Sequence, residues 1–183
     1  MAPGCGERIG PVREVNRLVD CAEEFTEFAT AHAHRLRWTA FLLCGDWHMA
    51  QDLTQMTFTS VFLAWRRISP DAVPAYAHRT LVNNYLAVRR KRSTAEEPVA
   101  IPQVPALPVN TTELRLVLLQ ALATLTPKAR AVVILRYWED LSIDQVAELL
   151  GCSAGTVKSH SARALEKLRA HLGESLTELC SSD

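Results

Sequence analysis

The chain of 183 residues is 48% hydrophobic, enough to fill packed cores, and its 20 Lys and Arg are matched by 20 Asp and Glu. A formal net charge of +0 gives no bulk attraction to nucleic acid, so any polyanion-binding surface must arise from how the charges are distributed. Five cysteines without a CxxC pair, and a start without a continuous apolar core, point to a reducing cytoplasm rather than secretion, and four prolines break the uncharged run Pro98 to Thr112, which excludes it as a membrane span.

In chain order, residues 1–20 carry little pattern and are expected to form a mobile N-terminal extension. From 22 to 44, Phe25, Phe28, Ala29, Leu36, Ala40 and Leu43 recur at helical spacing, and Gly45 ends the segment. Asp46 caps a second helix carrying Ala50, Leu53, Val61, Ala64, Trp65 and Ile68. Pro70 and Pro74 bracket a turn. A third helix, Ala75 to Arg92, places Leu81, Val82, Tyr85, Leu86 and Val88 on its apolar side. It holds Arg79, Arg89, Arg90, Lys91 and Arg92 and no acid, so one basic surface is concentrated there. Residues 21–92 are thus expected to form a three-helix bundle.

Residues 93–110, with Pro98, Pro102, Pro105 and Pro108, read as a proline-rich linker. Its eighteen or so residues reach roughly 60 Å if extended at ~3.3 Å each. Helices resume at about 111. Thr126-Pro127 is a cap with proline at the first helical position, opening a helix to Trp138.

Residues 142–167, SIDQVAELLGCSAGTVKSHSARALEK, spell a helix-turn-helix. Ser142 and Gln145 make a capping box, and Val146, Ala147, Leu149 and Leu150 give the first helix an apolar face. Gly151 suits a left-handed end, and Ser153 caps the next helix. Val157, Ala164 and Leu168 face inward, leaving Ser153, Thr156, Lys158, Ser159, His160 and Arg163 on the outer face. Small hydroxyl donors and cations gathered on one turn suit a DNA major groove. An ordinary helical hairpin with a solvated face is the plainer alternative. The second domain is then a four-helix unit, 111–173, followed by a tail, 174–183. The fold class expected is all-α, two small helical domains on a proline-rich linker.

These residues resemble a known family. The order of segments from Phe25 to Leu172 is similar to bacterial RNA polymerase sigma factors of the extracytoplasmic-function (ECF) group, most of all its actinobacterial SigE-like branch. FTEFATAHAHRLRWTAFLLCGDWHMAQDLTQMTFTSVFLAW resembles the first part of region 2, and PAYAHRTLVNNYLAVRRKR its promoter-melting part. LATLTPKARAVVILRYWEDLSIDQVAELLGCSAGTVKSHSARALEKLR resembles region 4. No segment resembles regions 1 or 3.

The resemblance implies a transcription initiation factor whose partners are core RNA polymerase (the β′ clamp helices and the β subunit) and promoter DNA, and leaves open an anti-sigma factor. Asp52, Leu53, Gln55, Phe58, Phe62 and Trp65 would contact the polymerase, provided that some of the aromatics stay exposed after packing. Arg79 and Asn83, four apart on one helix face, would read the −10 element, with Tyr76 available for stacking. Tyr85 is expected in the bundle. Arg89, Arg90, Lys91 and Arg92 would grip phosphates, as a basic helix end can. Ser153, Thr156, Lys158, Ser159, His160 and Arg163 would meet the −35 element as duplex. The chain departs from the family at His160, where many members carry arginine, and at Ser161, where many carry a bulky apolar residue. Elements about sixteen base pairs apart, at ~3.4 Å each, lie roughly 54 Å from one another, within the linker's reach.

No catalytic constellation, cofactor motif or metal site is expected; Cys44, His48, His32 and His34 lack a second ligand pair. A LuxR-type regulator with a similar GTVKSH turn is the main alternative, but the receiver pattern it needs is missing. A protein-interaction adaptor leaves unexplained both the basic surface of the third helix and the cations Lys158, Arg163, Lys167 and Arg169 of the last one.

Overall fold

A computed structural model gives the backbone of residues 11–94 and 109–180 and the side-chain surroundings of residues 19–91 and 115–173. The described residues form α1 (Pro11–Cys44), α2 (Trp47–Ala64), α3 (Val73–Thr94), α4 (Val109–Ala123), α5 (Pro127–Val133), α6 (Ile143–Leu150) and α7 (Ala154–Cys180), and no β-strand. Short 3-10 turns, Trp65–Arg67 and Pro70–Ala72, join α2 to α3, and a π turn, Ile134–Trp138, extends α5. The all-α plan holds, with three helices in the first domain and four in the second.

The local signals explain most helix ends. Gly45 turns left-handed at φ 74° and its N–H donates to the Phe41 carbonyl at 2.7 Å. Asp46, in extended conformation, accepts from the Met49 N–H at 2.6 Å. Thr126 accepts from the Ala129 N–H at 3.4 Å, ahead of Pro127.

Some boundaries differ from the sequence expectation. α1 begins at Pro11, so the second half of the expected extension is helical. α7 continues to Cys180, through most of the expected tail. α3 runs to Thr94 and α4 starts at Val109, so the central part of the proline-rich linker lies outside the described residues.

The first core packs Leu36, Ala40 and Phe41 of α1 with Leu53 and Val61 of α2 and Leu81, Val82 and Tyr85 of α3. A second joins Ala121, Leu122 and Leu125 to Val133, Ala164 and Leu168. The first core does not stop at the domain boundary. Ala131, Val132, Ile134 and Leu135, with Val146, Ala147 and Leu149 of α6 and Val157 of α7, belong to the same buried cluster. α1 lies against α5 and the π turn, and α3 against α5 and α6.

Two charged side chains enter this seam, Arg130 and Glu139, each 6% exposed. Glu139 Oε2 accepts from Arg35 Nε at 2.7 Å and lies 3.1 Å from His78 Nε2, near enough for an ion pair though off the line of a hydrogen bond. Thr39 Oγ1 donates to Glu139 Oε1. Arg130 Nη1 donates to the Leu43 carbonyl at 2.8 Å, in the last turn of α1, where unpaired carbonyls and the helix dipole favour a cation. Arg115 of α4 lays its guanidinium 4.1 Å from the Trp38 ring centroid, a cation–π contact across the same seam.

Burial alone would push the Glu139 carboxyl up. The contacts from His78, Thr39 and Arg35 outweigh it and hold the group at about 2, against an ordinary 4.5. As pH falls, the unfolded chain therefore takes up this proton first. The stabilisation from Glu139 is complete above pH 4.5 and is lost as pH falls toward about 2. Replacing Glu139→Gln is expected to lower stability by on the order of 3 kcal/mol at neutral pH and to flatten the loss across that window, both read by thermal melts from pH 2 to 7.

Candidate nucleic-acid interface

The α6–turn–α7 unit is built as its residues dictate. Gln145 N–H donates to Ser142 Oγ at 3.1 Å while Ser142 N–H donates to Gln145 Oε1 at 2.7 Å, closing the capping box. Gly151 sits at φ 61°, a left-handed position that only glycine takes without a steric cost, and Cys152 N–H reaches back to the Ala147 carbonyl at 3.0 Å. Ser153 Oγ accepts from the Thr156 N–H at 3.1 Å and opens α7.

On α7, Val157, Ala164 and Leu168 are buried, which turns Ser153, Thr156, Lys158, Ser159 and Arg163 to solvent on the opposite side. His160 is only half-buried and lines a cleft of about 580 Å³ with Asn83, Leu86, Arg89, Thr126 and Lys128. Ser161 Oγ lies 3.2 Å from the Tyr137 hydroxyl, a polar link between the π turn and α7.

On α3, Arg79 and Asn83 are exposed one turn apart. Tyr76 is half-buried against the core and lines, with Arg79, a second cleft of about 510 Å³ closed on its far side by Gln145, Glu148 and Leu149 of α6. Tyr85 is fully buried, as expected, and burial pushes its hydroxyl above the ordinary tyrosine value. Arg89 is half-buried, whereas Arg90 and Lys91 are exposed. The Arg92 side chain lies outside the described residues.

On α2, Asp52 and Gln55 are exposed and Phe62 is 50% exposed. Phe58 and Trp65 are half-buried beside Phe25 and Phe28, with ring centroids 6.2 Å (Phe25 to Phe58) and 5.4 Å (Phe25 to Trp65) apart. Trp65 stands on the 3-10 turn after α2 rather than on the helix itself. Leu53 is corrected: at 1% exposure it fills the core and offers nothing to a partner. Met56 and Leu63, 48% and 69% exposed, complete the apolar patch around Phe62, and the sequence reading missed them. The signal was available, because residues 56–65 carry more apolar groups than one helix face can bury. The seam residues Arg35, Thr39, His78, Arg130 and Glu139 were also missed, and no local pattern announces them.

Set beside known proteins, residues 28–94 match the Sigma-70 region 2 family model and residues 115–168 the Sigma-70 region 4 model. The chain is 37% identical over 154 residues to the RNA polymerase sigma-E factor of Streptomyces coelicolor, covering 81% of this chain and 86% of that protein. It is 33% identical over 165 residues to the ECF RNA polymerase sigma factor SigE of Mycolicibacterium smegmatis, covering 85% of this chain and 64% of that one. Its fold is similar to that of the sigma factor RpoE in complex with the anti-sigma factor NepR from Bartonella quintana, with a TM-score of 0.70 at 23% identity over 82% of this chain and 98% of that chain. A basic helix in the first domain, a helix-turn-helix in the second, and family matches to both in the right order make this chain a member of the ECF group of sigma-70 RNA polymerase sigma factors.

Proposed function

We propose that this sigma factor binds core RNA polymerase through α2, reads the −10 element with α3 and the −35 element with α7, and helps to open the duplex between them. The observation that carries the reading is the sidedness of α7: its apolar residues are buried while Thr156, Lys158, Ser159 and Arg163 stand together in solvent. A LuxR-type regulator would account for that helix but not for the region 2 match or the Arg79/Asn83 face.

The roles divide by chemistry. Lys158 and Arg163 supply charge to phosphates or guanine, and Ser153, Thr156 and Ser159 supply short donors to the groove. Asn83 offers both a donor and an acceptor to an unstacked base, Arg79 adds charge, and Tyr76 offers a ring edge for stacking. Arg89, Arg90 and Lys91 hold the backbone of the separated strand. The patch of Phe62, Met56 and Leu63, rimmed by Asp52 and Gln55, is the anchor for the β′ clamp helices, and the C-terminal domain meets the β subunit. Polymerisation chemistry stays with the core enzyme. No described helix is long and apolar enough to cross a membrane, and we place the protein with the DNA in the cytoplasm. An anti-sigma protein is a further partner, by similarity to a sigma factor solved in complex with one.

Transcription in vitro with core polymerase on a promoter library tests the whole reading, since a chain that neither binds core nor confers promoter choice is not acting as proposed. Replacing Lys158→Ala and Arg163→Ala should weaken binding and flatten its salt dependence by about 0.9 in log–log slope per lost phosphate contact. Replacing Asn83→Ala should leave core binding intact and reduce permanganate reactivity of the −10 region; unchanged reactivity would remove Asn83 from strand opening. Replacing Phe62→Asp should weaken association with core polymerase by about tenfold or more, as loss of a central apolar anchor does.

A further inference from the structure

The cleft of about 580 Å³ between α3, α5 and α7 has the size of a small-molecule site, and its charge is one-sided. Arg89 of α3, Lys128 of α5 and His160 of α7 line it, with no Asp or Glu among the described residues of its wall. The neighbouring cleft of about 510 Å³ differs, since Asp71 and Glu148 stand there with Arg79. No acid among the described residues forms an ion pair with Arg89 or Lys128; the ion pairs found there all belong to Glu139. Like charges gathered from separate helices repel one another, and a bound anion turns that cost into attraction.

Arg130 of α5 adds to the positive field. It is 6% exposed, its Nε has no partner, and burial together with the nearby Arg89 charge presses its guanidinium below the ordinary arginine value. The buried Tyr85 hydroxyl lies within reach of both arginines and also lacks a partner, so it offers them a dipole but no counter-charge. The rest of the cleft is not built for a bare ion. Leu86 and Pro127 give it an apolar wall, and Asn83 stands exposed three residues before Leu86 on the same face of α3. An apolar plate suits a flat ring, a primary amide offers a donor and an acceptor to the edge of a nucleobase, and cations suit phosphates.

From this we infer that the cleft between α3, α5 and α7 binds a nucleoside polyphosphate, with its phosphates on Arg89, Lys128 and His160 and its base against Leu86, Pro127 and Asn83. Arg89 can grip a phosphate with two N–H groups, and Lys128 adds a point charge from the facing helix. His160, half-buried in this cleft, contributes a ring N–H. The site stands on the geometry of the cleft. Competition between nucleotide and promoter for Asn83, Arg89 and His160 is a consequence that rests on their assignment to DNA.

The test is titration calorimetry of the full chain, without polymerase or DNA, using ATP, GTP, inorganic triphosphate and adenosine at constant ionic strength. ATP or GTP should bind at a single site. Inorganic triphosphate, which lacks the stacking ring, should bind about tenfold more weakly, and adenosine should give no measurable heat. Lys128→Ala changes an exposed residue, so circular dichroism should show helix content kept, and it should weaken the nucleotide about tenfold or more, as loss of a charge-assisted contact does. Arg169→Ala removes an exposed cation of α7 that does not line the cleft and should leave nucleotide affinity unchanged. Absence of saturable binding by either nucleotide overturns the site. Equal losses from Lys128→Ala and Arg169→Ala overturn it too, because they reduce it to diffuse attraction of a polyanion. Inorganic triphosphate binding as tightly as the nucleotides overturns the nucleoside assignment. Failure of the sigma reading shows separately, as a chain that does not associate with core polymerase, and leaves these titrations as they are.

Discussion

A carboxylate taken out of water must be met by donors from every side it faces, and Glu139 meets that demand only because two domains close around it. Its partners Arg35 and Thr39 lie on α1 and His78 on α3, about a hundred and about sixty residues away in the chain. Arg130 is met less completely: its Nη1 donates to the Leu43 carbonyl in the last turn of α1, while its Nε is buried without a partner. Around these two groups the apolar cluster runs without interruption from Leu36 to Val157. Charge matching sets the register of the seam, and apolar burial supplies most of its cohesion.

Much of the fold was legible in the residues. Gly45, Asp46, Thr126, Ser142, Gly151 and Ser153 each act at the helix end their chemistry suggests, because capping depends on neighbours within a few positions. The buried faces of α3 and α7 followed from spacing alone, as Leu81, Val82, Tyr85, Val157, Ala164 and Leu168 confirm. α2 was harder. Its apolar residues surround the helix, so periodicity could not tell Leu53, which is core, from Met56 and Leu63, which are surface. Only the position of α1 and α3 decides which side is covered.

The seam was illegible for a different reason. Nothing near Arg130 or Glu139 separates a side chain destined for burial from one left in water, since their partners come from distant parts of the chain. The residues assigned to DNA show the same limit. His160 sits on the polar side of α7 by spacing, yet it is half-buried and lines a cleft beside α3.

The π turn at Ile134–Trp138 has a consequence for how this region tolerates change. Glu139 N–H bonds to the carbonyl of Ile134, five residues back, and Asp140 then adopts φ 54°. One extra residue is accommodated in the coil, which shifts everything downstream by roughly 100° in helical phase. Deleting a single residue here would restore an ordinary α-helical winding and, with the Glu139 side chain itself unchanged, swing the acid away from α1. Length, as much as composition, is what this stretch encodes.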